Sequence, residues 1–188
     1  EIGAGGGSIA SIDERGIIAV GPRSAGAEPG PACYGRGGMC ATLTDANLVL
    51  GLLSEDNFRH SGIAVSTARA REVIETTIAG PLGISVERAA LGIHDTVNEN
   101  VARAFRVHAA ELGIDYRRYT LVTTGGSSSL HAIEIACILN IRRVIFPFGA
   151  GVSSAFGLFM GREGMALQAT RLIALDHASQ IIIAAQVA

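Results

Sequence analysis

Charge is scarce in this chain: only 17% of its 188 residues are Asp, Glu, Lys or Arg, and 15 basic against 17 acidic residues give a formal net charge of -2. The basic residues are scattered, so no face is positive enough for phosphate-backbone recognition, and nucleic acid is excluded as a partner. Cysteine is scarcer still. Cys33, Cys40 and Cys137 are an odd number, and none stands in a CxxC or histidine-containing metal spacing. A disulfide framework and a zinc knuckle are therefore excluded, no metal ligand set is read from the residues, and a reducing cytoplasm is the expected compartment. No apolar run reaches the ~20 residues of a membrane span, and no charged segment followed by an apolar core opens the chain. Repeats, low-complexity linkers and a Gly-x-Ser-x-Gly elbow are also missing, the last of which removes support for serine-hydrolase chemistry. There is no initiator methionine, and the chain stops on the apolar stretch from Ile181 to Ala188. A fragment of a longer protein is the expectation.

What is present is apolar: 48% of the residues are hydrophobic. A chain of this length buries roughly 70% of its unfolded surface, so one lobe over residues 1–188 is expected. Ile9–Ile12 and Gly16–Val20 read as a hairpin turning at Asp13-Glu14-Arg15. Residues 21 to 41 hold three of the five prolines, Pro22, Pro29 and Pro31, among many glycines, and read as an irregular loop that lines a ligand site. Thr44 or Asp45 is expected to cap a short helix reaching about Leu53. A second helix covers 67 to 79 and stops near Gly80-Pro81. The longest begins at Ser85 and ends at Gly113, with Ile93, Val97, Val101, Ala104, Phe105 and Leu112 on its core face. A strand over 119–123, a helix over 128–139 carrying Leu130, Ile133 and Ile138 inward, a strand over 142–146 and a helix over 153–160 complete an α/β order with a right-handed crossover.

Two glycine-rich segments stand out, Gly3-Ala4-Gly5-Gly6-Gly7-Ser8 and Thr124-Gly125-Gly126-Ser127. Each follows or starts within a β-prone stretch, and each lacks the Cβ atoms that keep a phosphate or sugar away from backbone N–H donors. A lone run of this kind also serves hairpins and tight packing, whereas two runs together suit a nucleotide. The second precedes a helix, whose unpaired N–H groups attract an anion or bind a nucleotide sugar.

The first glycine run, Gly21-Pro22-Arg23-Ser24-Ala25-Gly26-Ala27, Pro29-Gly30-Pro31-Ala32-Cys33-Tyr34-Gly35, Thr44-Asp45-Ala46-Asn47-Leu48-Val49-Leu50-Gly51 and Pro81-Leu82-Gly83 together resemble the hydantoinase A/oxoprolinase family. Gly125-Gly126 with Leu130-His131-Ala132, and Gly151-Val152-Ser153-Ser154-Ala155-Phe156-Gly157, continue the likeness in the same order to about residue 160. The resemblance implies an actin-like ATPase (ribonuclease H-like) lobe, a mixed sheet with flanking helices. It also implies ATP and Mg²⁺ as cofactors, a cyclic amide of hydantoin or 5-oxoproline type as substrate, and a hydantoinase B-like partner subunit or domain. Family members open such rings, or carboxylate ketones, through phosphoryl activation of an amide or enolate oxygen. By the same likeness Gly5, Gly6, Gly7 and Ser8 match the second phosphate motif, and Gly125, Gly126 and Ser127 match the adenosine motif. Two features depart from the family pattern. Thr124-Gly125-Gly126-Ser127-Ser128-Ser129 stands where the family has an aromatic-Gly-Gly-Ala-Gly-Pro segment, and the first phosphate motif is missing. A ketone carboxylase subunit and a non-catalytic ATPase-fold module are the alternatives.

Other residues admit competing readings. Cys33, with Tyr34 beside it, lies in the glycine-proline loop and reads as packing or lining the substrate ahead of acting as a nucleophile. Asp45 and Asn47 suit a metal or substrate as well as a helix cap. His131 reads first as a partly buried histidine bonded to backbone and second as a ligand contact. Asn100 and Arg103 flank the apolar stripe of the long helix where the superfamily passes near adenine, while Glu99 and Arg103 at i,i+4 also suit a solvated ion pair.

Overall fold

A computed structural model describes residues 3–60, 63–162 and 164–165. The backbone groups residues Glu1–Phe156 into one compact unit and the segment from Gly157 into a second. The first contains both glycine segments and every element discussed below except the end of the last helix.

The hairpin forms where the sequence places it, from β1 (Ser8–Ile12) and β2 (Ile18–Ser24), antiparallel with Ile12 opposite Ile18 and Ser8 opposite Ser24. Asp13 builds the turn, its Oδ1 accepting from the Arg15 and Ile17 N–H groups at 2.9 Å each. β2 runs on through Gly21-Pro22, into the stretch expected to be irregular. A bulge between Ser8 and Ala10 makes this possible, because there the ladder is interrupted and a residue without an N–H is tolerated.

Helix α1 spans Leu43–Val49, and its cap is Thr42 rather than Thr44 or Asp45. Asp45 is the third helical residue of a capping box: Thr42 N donates to its Oδ2 at 2.9 Å, and Asp45 N donates to Thr42 Oγ1 at 3.3 Å. The helix ends short of Leu53, and a separate α2 follows over Glu55–His60.

Helix α3 (Thr67–Ile74) does not stop at Gly80-Pro81 as expected. It widens into a π-turn over Glu75–Ala79 and continues as α4 (Gly80–Leu82), which closes on a left-handed Gly83. A proline inside an α-helix meets the carbonyl four residues back, and the wider turn relieves that clash. Thr76 and Thr77 hydroxyls donate to the Glu72 and Val73 carbonyls, at 3.0 and 2.6 Å, through this segment.

Helix α5 (Val86–Glu111) starts at its Ser85 cap, which accepts from Arg88 N at 3.2 Å, and ends before Gly113 with φ +64. Ile93 and Val97 are buried as expected. Phe105 and Leu112 are exposed, and the buried face continues instead through Ala102 and Ala109. Arg103 is exposed and bonds Asn100, while Glu99 lies nearest Arg106.

β3 (Leu121–Val122) and β4 (Val144–Ile145) pair in parallel on either side of α6 (Ala132–Leu139). Both strands are shorter than the sequence suggests. A 3-10 turn over Ser128–Leu130 delays α6, so its buried stripe is Ala132, Ile135, Ala136 and Leu139, with Ile133 outside. α7 (Ser153–Met160) follows a 3-10 turn. Among the described residues the strands form two separate two-stranded sheets, one antiparallel and one parallel, in place of the single mixed sheet expected.

The main core joins the hairpin, α1, α3 and the first half of α5 through Ala10, Leu43, Ile74, Ile78, Ile93 and Val97. A smaller cluster of Ala102, Ile135 and Leu139 fastens α6 to α5, helped by Arg106, which donates to the Ile138 carbonyl at 3.1 Å. α5 is therefore the spine that carries the two glycine segments on one scaffold.

Candidate functional site

A cavity of about 300 Å³ lies between the two glycine segments. Ala4 and Gly5 come from the first, and Thr123, Thr124, Ser127 and Ser128 from the second. Leu43 of α1, Val97, Val101 and Phe105 of α5, β3, and His131, Ala132 and Ile135 close the walls. The lining is apolar except for hydroxyls and His131, and no charged side chain belongs to it.

The glycines perform different tasks. Gly5 N donates to Ser8 Oγ and Ser8 N donates to Gly5 O, each at 2.9 Å, so the first bend uses its own donors. The Gly6 carbonyl accepts from both Thr44 N and Thr44 Oγ1 at 2.9 Å. A Cβ on Gly6 would stand 2.7 Å from Thr44 Oγ1, and one on Gly7 would stand 2.8 Å from Ser24 Oγ. These two are small because neighbouring chain passes close. Around Gly5 and Gly126, by contrast, a Cβ would meet nothing within 4 Å. Gly125 has φ +94, where L side chains are strained, and its N–H donates to the Ala150 carbonyl at 2.7 Å. The Thr123 hydroxyl donates to Ser128 Oγ at 2.9 Å, and Ser128 Oγ donates on to the Thr124 carbonyl. Of the seven glycines and serines matched by motif, Gly5 and Ser127 line the cavity, Gly126 is open beside it, and Gly6, Gly7, Ser8 and Gly125 support the bends.

Cys33 and Tyr34 lie apart from the cavity. Cys33 is 1% exposed and packs with Leu48 and Ala70. Burial, and next the negative charge of Asp45, push its thiol far above the ordinary range, which leaves no thiolate for nucleophilic attack. Tyr34 is half-buried, its hydroxyl likewise pushed up chiefly by burial, and its ring stands 6.3 Å from that of Phe58. Asp45 is wholly buried, and its carboxyl group accepts from Ala32 N at 3.3 Å, Cys33 N at 2.8 Å and Thr42 N at 2.9 Å. It anchors the glycine-proline loop. Among the described residues, no three His, Cys, Asp or Glu side chains are grouped to hold a metal ion, and no helix is long and apolar enough to cross a membrane.

A polar network lies under the cavity and joins Asn47 and His131, the latter bonded to a side chain and not to backbone, with three residues that sequence reasoning missed, His94, Asn98 and Glu134. His94 Nδ1 lies 2.8 Å from Asn47 Oδ1, and His131 Nδ1 lies 2.8 Å from Asn98 Oδ1. Asn98 Nδ2 donates to Glu134 Oε2. The two imidazoles stack with centroids 4.4 Å apart and planes 18° from parallel. His94 Nε2 is 3.1 Å from Glu134 Oε2, close enough for an ion pair but not aligned as an N–H···O hydrogen bond. Burial, and then the neighbouring His94, push the His131 pKa down to about 4, so its ring is neutral at pH 7. His94 and Asn98 sit four residues apart inside the apolar stripe of α5, and that interruption was the signal in the sequence.

Comparison with known proteins accords with this architecture. The chain is 45% identical over 156 residues to the caprolactamase subunit alpha of Pseudomonas jessenii, covering 83% of this chain and 22% of that one. The solved structure of nucleotide-free acetone carboxylase, from a study of ATP-dependent acetone carboxylation, superposes with a TM-score of 0.76 at 32% identity, covering 83% of this chain and 22% of that one. The ATP-dependent caprolactamase from Pseudomonas jessenii superposes with a TM-score of 0.75 at 45% identity, covering 82% of this chain and 22% of that one. The chain thus spans about a fifth of the length of these relatives. Residues 1–162 match the hydantoinase/oxoprolinase model, and the chain belongs to that family.

Proposed function

We propose that this chain is the nucleoside-binding part of an actin-like ATPase lobe in a longer cytoplasmic enzyme that uses ATP to open a cyclic amide. The observation that carries this reading is the single cavity bordered by both glycine bends. Its size and apolar walls suit a base and sugar, with Ser127 and the open backbone at Gly126 against the nucleoside and Gly5 facing the phosphate side. The described residues fit the uncharged portion of ATP only. No Lys, Arg or acidic side chain lines the cavity, so the groups that neutralise the triphosphate and Mg²⁺ belong to other residues of the longer protein or to a hydantoinase B-like partner. When bound, ATP supplies the phosphoryl group that activates the amide oxygen. This chain orients the nucleoside and excludes water from it.

The test is ATP turnover by the complete protein with its partner subunit. Hydrolysis that depends on an added cyclic amide is expected, and equal turnover without it would point to a regulatory module. A second reading, ATP-dependent ketone carboxylation, is favoured by the likeness to acetone carboxylase. Turnover that requires bicarbonate and a ketone selects it.

A further inference from the structure

The His131 ring is part of the cavity wall, yet it is only 6% exposed and its setting is constrained on several sides. Its Nδ1 edge is occupied by Asn98 Oδ1 at 2.8 Å, and one face is covered by His94. An amide oxygen can only accept, so Nδ1 carries the proton, and the neutral ring keeps a bare lone pair on Nε2. The amide cannot flip freely, because Asn98 Nδ2 is held by Glu134 Oε2. Nε2 is buried and has no hydrogen-bond partner. Buried polar atoms are nearly always paired, and of the two unpaired nitrogens in this network His94 Nε2 has Glu134 Oε2 at 3.1 Å, whereas His131 Nε2, on the ring that lines the cavity, has no such neighbour. The surrounding walls carry hydroxyls and apolar groups such as Val97, Val101, Phe105 and Ile135 but no charge, which selects a neutral donor on a flat apolar frame.

We propose that His131 Nε2 is the acceptor for a neutral N–H group on a planar ring bound in this cavity, and that Asn98 and Glu134 are positioning residues that keep the histidine in the tautomer leaving Nε2 bare. The proposal rests on the reading that the cavity holds the ring-bearing part of the nucleotide or substrate. Two sources present this chemistry, the amino group of a nucleobase and the amide N–H of a cyclic amide.

The experiment records imidazole nitrogen spectra of the complete protein, labelled with ¹⁵N-histidine, at pH 7, with adenosine and 2-pyrrolidone added separately and binding followed by equilibrium dialysis. The ligand-free protein should show His131 as the neutral Nδ1–H tautomer, and its Nε2 resonance should move when adenosine binds. Movement with 2-pyrrolidone alone supports the acceptor while removing the nucleoside from the cavity. Adenosine bound with Nε2 unmoved by either compound overturns the acceptor and leaves the nucleotide reading standing; no response and no binding of either compound overturns both. Asn98→Leu should mix the His131 tautomers and weaken adenosine binding about tenfold, the effect of losing one well-placed hydrogen bond. Asn98→Asp combined with Glu134→Gln, which retains an acceptor for Nδ1–H and reverses the donor between the two side chains, should restore the single tautomer. A single unchanged tautomer in Asn98→Leu would overturn the positioning role, and if that variant does not fold, the wild-type spectra decide.

Discussion

The two glycine bends look alike in sequence and differ in structure. The first is tied down: Gly5, Gly6 and Ser8 spend backbone groups on one another and on Thr44, and Gly6 and Gly7 are small because Thr44 and Ser24 press on them. The second is open at Gly126; its Thr123 and Ser128 hydroxyls bond each other and the Thr124 carbonyl, while His131 behind it is held by Asn98, which is held in turn by Glu134. One bend is tied by bonds among its own residues and Thr44, the other by a hydroxyl relay with a polar layer beneath it. Glycine therefore serves close packing in one bend and ligand access in the other, and composition alone does not separate the two.

The tied region should break hardest at Asp45. Asp45→Ala strands the Ala32, Cys33 and Thr42 N–H groups in the interior, and a loss of about 4 kcal/mol is expected from a urea unfolding midpoint, at 1–3 kcal/mol for each such group with partial relaxation. The open bend should instead be sensitive to acid. The folded pKa of His131, about 4, lies below its unfolded 6.5. Its neutral state is favoured on folding, so this contribution is fully present above about pH 6.5 and disappears as pH falls towards 4. The unfolded chain binds the extra proton in that window, and stability rises with pH there by about 3 kcal/mol. Unfolding curves between pH 4 and 7 measure the slope, and His131→Leu should flatten it.

Glycine substitutions sharpen the contrast at smaller cost. Gly6→Ala drives a methyl to within 2.7 Å of Thr44 Oγ1 and should lower stability by about 2 kcal/mol in the same urea assay. Gly126→Ala meets nothing within 4 Å and should stay within about 0.5 kcal/mol of the parent. If the reading of the open bend holds, nucleotide affinity in Gly126→Ala falls by a larger factor than stability does. Equal stability losses at both glycines would erase the distinction drawn between the bends.

Much of the fold could be read in advance where a local rule acts alone. Ser85 and Gly113 bracket α5 because cap and left-handed terminator are local chemistry, and Asp13 turns the hairpin for the same reason. The reading slipped where a distant group decided the outcome. Thr42 became the cap of α1 because Asp45 also serves the loop around Cys33, a demand that spacing does not reveal. Pro81 failed to end its helix because two threonine hydroxyls and a widened turn absorbed it. The α6 stripe rotated because Ser128–Leu130 takes a 3-10 form before the helix begins. At the candidate site both glycine bends were visible in the sequence, and Asn47 and His131 stood out singly, but the histidine–asparagine layer that joins them did not. His94 and Asn98 show only as polar breaks in an apolar face, and their partners Asn47, His131 and Glu134 come from separate segments that only the folded chain brings near.

The interruption in the hairpin ladder has a consequence for association. Among the described residues β2 has β1 as its only strand neighbour, and its Ile18 carbonyl accepts from the Thr96 hydroxyl of α5 at 3.5 Å, so the row that could take an added strand lies towards Gly21–Ser24. Pro22 has no N–H to offer a further strand, and the register shift facing it interrupts the regular ladder that such a strand would extend. The hairpin is thereby protected against edge-to-edge aggregation at the same residues that carry it past the first glycine bend.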